Sequence, residues 1–220
     1  MPLNTPEDWT RFLLHAANQG LPAELRDAPV SGDHAKRFVD RFSDELGHRR
    51  TLDRPLLSRL LGLDVESPTP PACTAERLWW SVVGNAEFGL DARAIGPLCG
   101  VDERATIETW TEDELAGLHA LADLAAAGRH DAWRRARHHM HWLIAELQPD
   151  NATAHPWGVH ALAALAIVER NAEARHYAEA LVHHSFVNMG RPDRFSACIL
   201  LDAARTLDAL VRVARLNSLD

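Results

Sequence analysis

The sequence predicts an all-α fold of antiparallel helical hairpins, stacked as a short α/α repeat or an irregular bundle. Three observations carry this. From residue 111 onward apolar side chains recur at three- and four-residue spacing. Capping residues and glycine or proline stops bracket each such run. No strand-length segment alternates apolar and polar residues between turns.

The first third is irregular. Helical candidates fall at about 6–18, 34–46 and 54–62, separated by Gly20, Pro22, Pro29, Gly32 and Gly47. Thr5-Pro6 marks a helix start, because proline at the first helical position forfeits no hydrogen bond. Ser67-Pro68-Thr69-Pro70-Pro71 reads as a linker, since prolines remove donors and push their neighbours out of helical geometry. The expected organisation is an irregular helical segment over 1–66, a linker over 67–73 and a helical-hairpin domain over 74–220, or one continuous domain.

Thr74 is placed to cap a helix carrying Leu78, Trp79, Val82 and Val83, stapled by Cys73 and Leu78 and ending before Gly89. Gly96-Pro97 and Gly100 punctuate residues 90–110, which read as loop. Thr111 and Glu114 have capping-box spacing, with Trp110 and Leu115 as a staple, so a helix is expected from 111 to Gly128. A second, over about 131–147, spaces Trp133, Ala136, Met140, Leu143 and Leu147 as a core seam. Trp142 lies nearly opposite that seam, which predicts packing on two sides. A third helix begins around His155-Pro156 and is apolar almost all round from Trp157 to Val168, the pattern of a buried helix. Asn171 caps a fourth, with Ala174, Tyr177, Ala178 and Leu181 inward, and Gly190 and Pro192 end it. The last runs from about Asp193 to Leu216.

Composition narrows the function classes. The chain has 220 residues, 46% hydrophobic and 25% charged, which is the globular range rather than the disordered one. A net charge of −8 argues against non-specific nucleic-acid binding, which needs basic groups on phosphates. One exception is a basic ridge over Arg129 to His141, read mainly as a solvated helix face. No apolar run is long enough to span a bilayer. Met1 to Trp9 lacks the basic and apolar regions of a secretory signal. Cys73, Cys99 and Cys198 are widely spaced and odd in number, so they read as reduced thiols and the expected location is cytoplasmic. Among 23 basic residues Lys36 is the sole lysine, and alanine is abundant, which fits a GC-rich bacterial source.

The segment from Ala132 to Leu165 pairs a helix ending Trp142-Leu143-Ile144-Ala145-Glu146-Leu147-Gln148-Pro149-Asp150 with a loop and an alanine-leucine helix. It resembles the helical hairpins of the α/α-toroids of terpenoid cyclases and prenyltransferases, and also tetratricopeptide-type hairpins. The toroid's loop glycine, a cyclase DxDD motif and an aspartate-rich diphosphate motif are absent, so the resemblance implies a hairpin architecture and no catalytic residue.

Chemistry candidates centre on the 13 histidines. His176, Glu179 and His183 share one face of the fourth helix and could converge on zinc or iron, against the plainer reading of a hydrogen-bonded solvent stripe. Glu45-x-x-His48 and Glu173-x-x-His176 have the spacing of di-iron bundle ligands, a coincidence that this composition supplies by chance. His160 is the strongly polar side chain in an apolar helix, where burial lowers an imidazole's pKa and demands a partner. It is either a functional base or a satisfied core residue. The adjacent pairs His138-His139 and His183-His184 diverge by roughly 100° and form no bidentate sites. No nucleophile elbow, phosphate loop or dinucleotide fingerprint occurs, so no catalytic residue, metal or other cofactor is assigned.

Trp79, Trp80 and Trp142 are the candidate interaction residues, and His160, His176, Glu179 and His183 the candidate polar pocket. The expected function is a helical protein-interaction or scaffold module whose partner is another protein or a second copy of itself. The alternative is an enzyme with a histidine-lined pocket, in one version metal-dependent. A deep pocket that gathers perturbed polar groups would favour the enzyme, and an exposed apolar patch the module.

Overall fold

A helix with no polar face must be covered on every side, and that requirement organises the chain. The computed structural model describes residues 3–26, 32–43, 54–64, 79, 82, 93–99, 106–147 and 153–217. Among these lie α1 (Pro6–Gly20), α2 (Ala23–Arg26), α3 (Gly32–Asp40), α4 (Arg54–Leu60), α5 (Ile107–Ala126), α6 (His130–Glu146), α7 (Val159–Glu169), α8 (Ala172–Val187) and α9 (Arg194–Leu216). No strand occurs among the described residues, and the fold is all-α. No described helix is long and apolar enough to cross a membrane.

The apolar helix is α7, buried from Val159 through Leu165 and packed against α9, α8, α5, α6 and α1. The long α9 is the other organising element, joining α7 to α1, α5 and α4. It buries Phe195, Ile199, Leu200, Ala203, Leu207 and Leu210, the inward positions expected from spacing. The N-terminal helix α1 lays Trp9, Leu13, Ala16 and Ala17 on α9, so the first segment packs on the last helix.

Local chemistry sets most ends as expected. Thr5, Asn171 and Asp193 cap α1, α8 and α9 by accepting from the amides of Asp8, Ala174 and Ser196. Gly128, at φ +100°, stops the chain after α5.

Four expectations are corrected. The helix expected over 34–46 is α3, which ends at Asp40, and a short α2 precedes it. The helix expected from Thr111 starts a turn earlier, because the Thr106 hydroxyl accepts from Thr109 N at 3.3 Å and caps α5. Thr111 is then inside the helix, donating to Ile107 O at 2.7 Å, and Glu114 faces a neighbouring loop rather than the helix start. The helix expected from His155-Pro156 starts at Val159, after Gly158 turns the chain at φ +71°. The linker at 67–73 and the cap at Thr74 fall outside the described residues.

Gly20 marks the closest approach of the two ends of the chain. A Cβ there would stand 2.6 Å from Pro192 O and 2.8 Å from Ala197 Cβ. Overpacking a rigid site of this kind costs ~1–3 kcal/mol. Gly20→Ala is therefore expected to lower the urea midpoint by that amount of stability, and an unchanged midpoint would show that α1 and α9 do not meet there.

Candidate functional site

Burying a polar side chain is costly unless it is paired, and α5, α7 and α9 each place such a group at their junction. On α5, His119 and Asp123 are four residues apart and share a face. Residue His160 sits in the first turn of α7, and Asp202 lies in the buried run of α9. His119 and His160 have no solvent exposure, while the Asp123 and Asp202 side chains keep 14% and 13%.

His119 Nε2 lies 3.1 Å from Asp202 Oδ2 and 3.9 Å from Asp123 Oδ2. His160 Nε2 lies 3.4 Å from Asp123 Oδ1, and the two imidazole rings meet edge to face at 4.3 Å. The Gly158 amide donates to His119 Nδ1 at 3.2 Å. Since a backbone N–H is only ever a donor, the neutral His119 ring carries its proton on Nε2 and donates it to Asp202. Gly158 is held close: its Cβ would meet Leu115 O at 3.1 Å, and its φ of +71° suits glycine. The local turn thus fixes the His119 tautomer.

His160 has no such settlement. Both of its ring nitrogens and Asp123 Oδ1 are buried without a hydrogen-bond partner. Burial first, and then the other imidazole, lower His119 to about 3, and burial alone lowers His160 to about 3. Burial and the neighbouring Asp202 carboxylate hold Asp123 well above the carboxylate range. Asp202 is pushed up to about 7 by burial, against the pull of Arg205 and Arg59. The two carboxyl groups are hydrogen-bonded to each other.

Asp123 and Asp202 line a cavity of about 440 Å3, whose other walls include Arg59 on α4, Gly62 and Asp64 after it, Ala126 and Ala127 at the end of α5, and Arg205, Thr206 and Ala209 on α9. Thr206 donates its hydroxyl to Asp202 O at 3.0 Å. A solvent-reachable carboxyl pair backed by dry imidazoles is chemically suited to holding a proton or a cation.

A second buried network serves the fold. Glu114, fully buried, accepts from Leu98 N at 2.6 Å, Cys99 N at 2.9 Å and Cys99 Sγ at 2.8 Å. His139 donates from Nδ1 to Gly96 O at 3.1 Å, which leaves its Nε2 lone pair 3.3 Å from Glu114 Oε2. Desolvation raises the Glu114 carboxyl that faces this lone pair, and His139 Nε2 has no hydrogen-bond partner. Arg135 adds bonds to the carbonyls of Gly96 and Pro97, and the loop 93–99 is fastened to α5 and α6.

The residues singled out in the sequence separate in space. His160 reaches the α5–α7–α9 junction; His176 and His183 are exposed and Glu179 half-buried on α8. Trp79 is fully buried, Trp142 is half-buried against the His139 and Trp110 rings, and Trp80 is outside the described residues. The basic ridge on α6 is broken up: Arg135 turns inward, while Arg129 pairs with Asp131 and Arg137 with Glu169. Sequence reasoning missed His119, Asp123 and Asp202. The signal available was a polar pair at i, i+4 within the apolar run from Leu115 to Ala125, and a lone aspartate within the apolar run from Ala197 to Ala204. Compared with known proteins, the chain matches no family model, no curated protein and no solved structure.

Proton balance sets the pH dependence of the metal-free fold. His119, His139 and His160 stay neutral to about 3 when folded, whereas the unfolded chain protonates them below 6.5. Their stabilisation is present above that value and is lost on acidification. Glu114, Asp123 and Asp202 have raised pKa values, so theirs is complete in acid and is lost as pH rises, through about 7 for Asp202. The two sets act in opposite directions between the usual carboxylate range and pH 6.5. The urea midpoint is expected to fall in acid, where the histidines set the slope, and above pH 6.5, where Asp202 sets it, and a midpoint that climbs steadily from pH 5 to pH 9 would contradict this placement of protons.

Proposed function

We propose that the chain is an enzyme whose cavity between α4, α5 and α9 holds a divalent cation on Asp123, Asp202 and His160. The observation that carries this is the unmatched pair formed by His160 and Asp123 Oδ1, buried beside a second carboxylate. With the proton shared by Asp123 and Asp202 released, two carboxylates and an imidazole nitrogen are a cation's donor set, and they suit zinc, manganese or iron. His160 Nε2 lies 3.4 Å from Asp123 Oδ1, and Asp202 Oδ2 joins them through His119, the residue that with Asp123 and His160 brings ligand atoms within 4.8 Å of one another. With its proton fixed on Nε2, His119 acts as a positioning residue that orients Asp202, as outer-sphere hydrogen bonds do in metal sites.

Asp123 and Asp202 line the cavity, so a cation held by them and by His160 would be reachable by water and substrate. It would lower the pKa of a bound water and polarise a substrate oxygen, which makes metal-assisted hydrolysis the proposed reaction class. Of the tryptophans named for the interaction reading, Trp79 is fully buried and Trp142 half-buried, while Trp80 lies outside the described residues. A cytoplasmic setting fits, where Cys99 and Cys198 remain the free thiols they are in the fold.

Titration of tag-free, chelator-stripped protein with Mn2+ and Zn2+ tests the assignment. About one equivalent is expected to bind, with Asp123→Asn and His160→Ala each weakening affinity by at least about tenfold, and His176→Ala with His183→Ala changing nothing. Binding far below one equivalent, or binding lost only with His176 and His183, would overturn it.

A further inference from the structure

The substrate class of this cavity follows from the charges on its walls, an inference that rests on the cation assignment above. Two guanidinium groups, Arg59 on α4 and Arg205 on α9, line the cavity with the carboxyl pair. Neither makes a hydrogen bond or ion pair with the described residues, although both act electrostatically on Asp202. Gly62 holds the turn after α4 at φ +76°, and Arg205 Nη1 lies 3.6 Å from where its Cβ would stand. The arginine from α9 is thereby kept against the turn that follows Arg59.

With a divalent cation on ionised Asp123 and Asp202, the lining carries the cation's two positive charges, two more from Arg59 and Arg205, and three negative ones from Asp64, Asp123 and Asp202. The loaded cavity is therefore net positive inside a chain of net charge −8. A planar guanidinium offers paired donors that match the oxygens of phosphate or carboxylate. The remaining wall residues, Gly62, Leu63, Ala126, Ala127 and Ala209, include no aromatic ring to stack a base or large apolar body. Volume, charge and donor geometry agree on a small oxyanion with two negative charges.

We infer that the cavity binds a small phosphate monoester, one phosphoryl oxygen on the cation and the others on Arg59 and Arg205. Hydrolysis is then balanced by water alone. Water's oxygen bonds to phosphorus, the P–O bond to the alcohol breaks, and the alcohol oxygen takes up the proton that the attacking water gives up.

The probe is inorganic phosphate on the Mn2+-loaded protein. Manganese occupancy is read by electron paramagnetic resonance, and phosphate by the paramagnetic broadening of its 31P signal. Strong broadening is expected, with phosphate binding at least about tenfold weaker in Arg205→Leu and in Arg59→Leu, the loss of a charge-assisted hydrogen bond. Manganese affinity should be unchanged or higher in both variants, because a repelling positive charge has been removed. Bound manganese without phosphate broadening, or broadening indifferent to both substitutions, overturns the phosphate inference and leaves the cation site standing. Broadening by acetate as strong as by phosphate, and equally dependent on the arginines, overturns phosphate in favour of a carboxylate. Failure of manganese to bind the unmodified protein sinks the cation assignment, and the phosphate inference with it.

Discussion

Helix α7 lacks a side that water can solvate, and the arrangement of the described helices answers that constraint. Val159, Ala161, Leu162, Ala163, Ala164 and Leu165 are fully buried, and at roughly 25 cal/mol per Å2 of apolar surface such a helix gains far more from cover than from any hydrogen bond on its surface. The cover comes from α5, α6, α8, α9 and α1. The long α9 bridges the first helix to the last hairpins, so the N-terminal segment takes part in the core. Alanine at so many α7 positions lets its neighbours approach closely, and the left-handed Gly158 delivers the chain into the helix from a turn packed on Leu115 and Leu118.

That same enclosure makes the polar residues at the junction expensive. An imidazole carried on α7 cannot turn to solvent, so His160 is either answered by neighbours or left wanting. His119 shows the first outcome, gripped by an amide on one nitrogen and a carboxylate on the other. His160 shows the second. Two adjacent imidazoles, both equally dry, thus differ: one has both nitrogens hydrogen-bonded and the other neither.

The Glu114 network shows what a polar cluster looks like when its role is to hold the fold. Each of its oxygens meets a donor from the loop 93–99, which His139 and Arg135 also hold by the carbonyls of Gly96 and Pro97. The Asp123–Asp202 pair differs in facing a cavity that two arginines also line and in leaving Asp123 Oδ1 without a hydrogen-bond partner. Fastening and binding thus use the same residue types, distinguished by whether the polar atoms are spent on the protein.

The sequence by itself determined the helical class, the helix starts near Thr5 and Asp193, the cap at Asn171, the inward faces of α6 and α8, and the burial of α7 with His160 in it. These depend on periodicity and on bonds reaching three or four residues, which a linear chain displays. The start of α5 was misplaced because two threonines, Thr106 and Thr111, both carry a capping hydroxyl, and which one caps depends on where Glu114 is drawn. His119, Asp123 and Asp202 were not legible as a group, because the contact between His119 and Asp202 joins positions 83 residues apart. The exposed face of His176, Glu179 and His183 was legible as a pattern, yet periodicity cannot say which polar face meets another helix. Only the tertiary structure decided that, since burial and the convergence of side chains from separate helices are properties of packing, not of spacing along the chain.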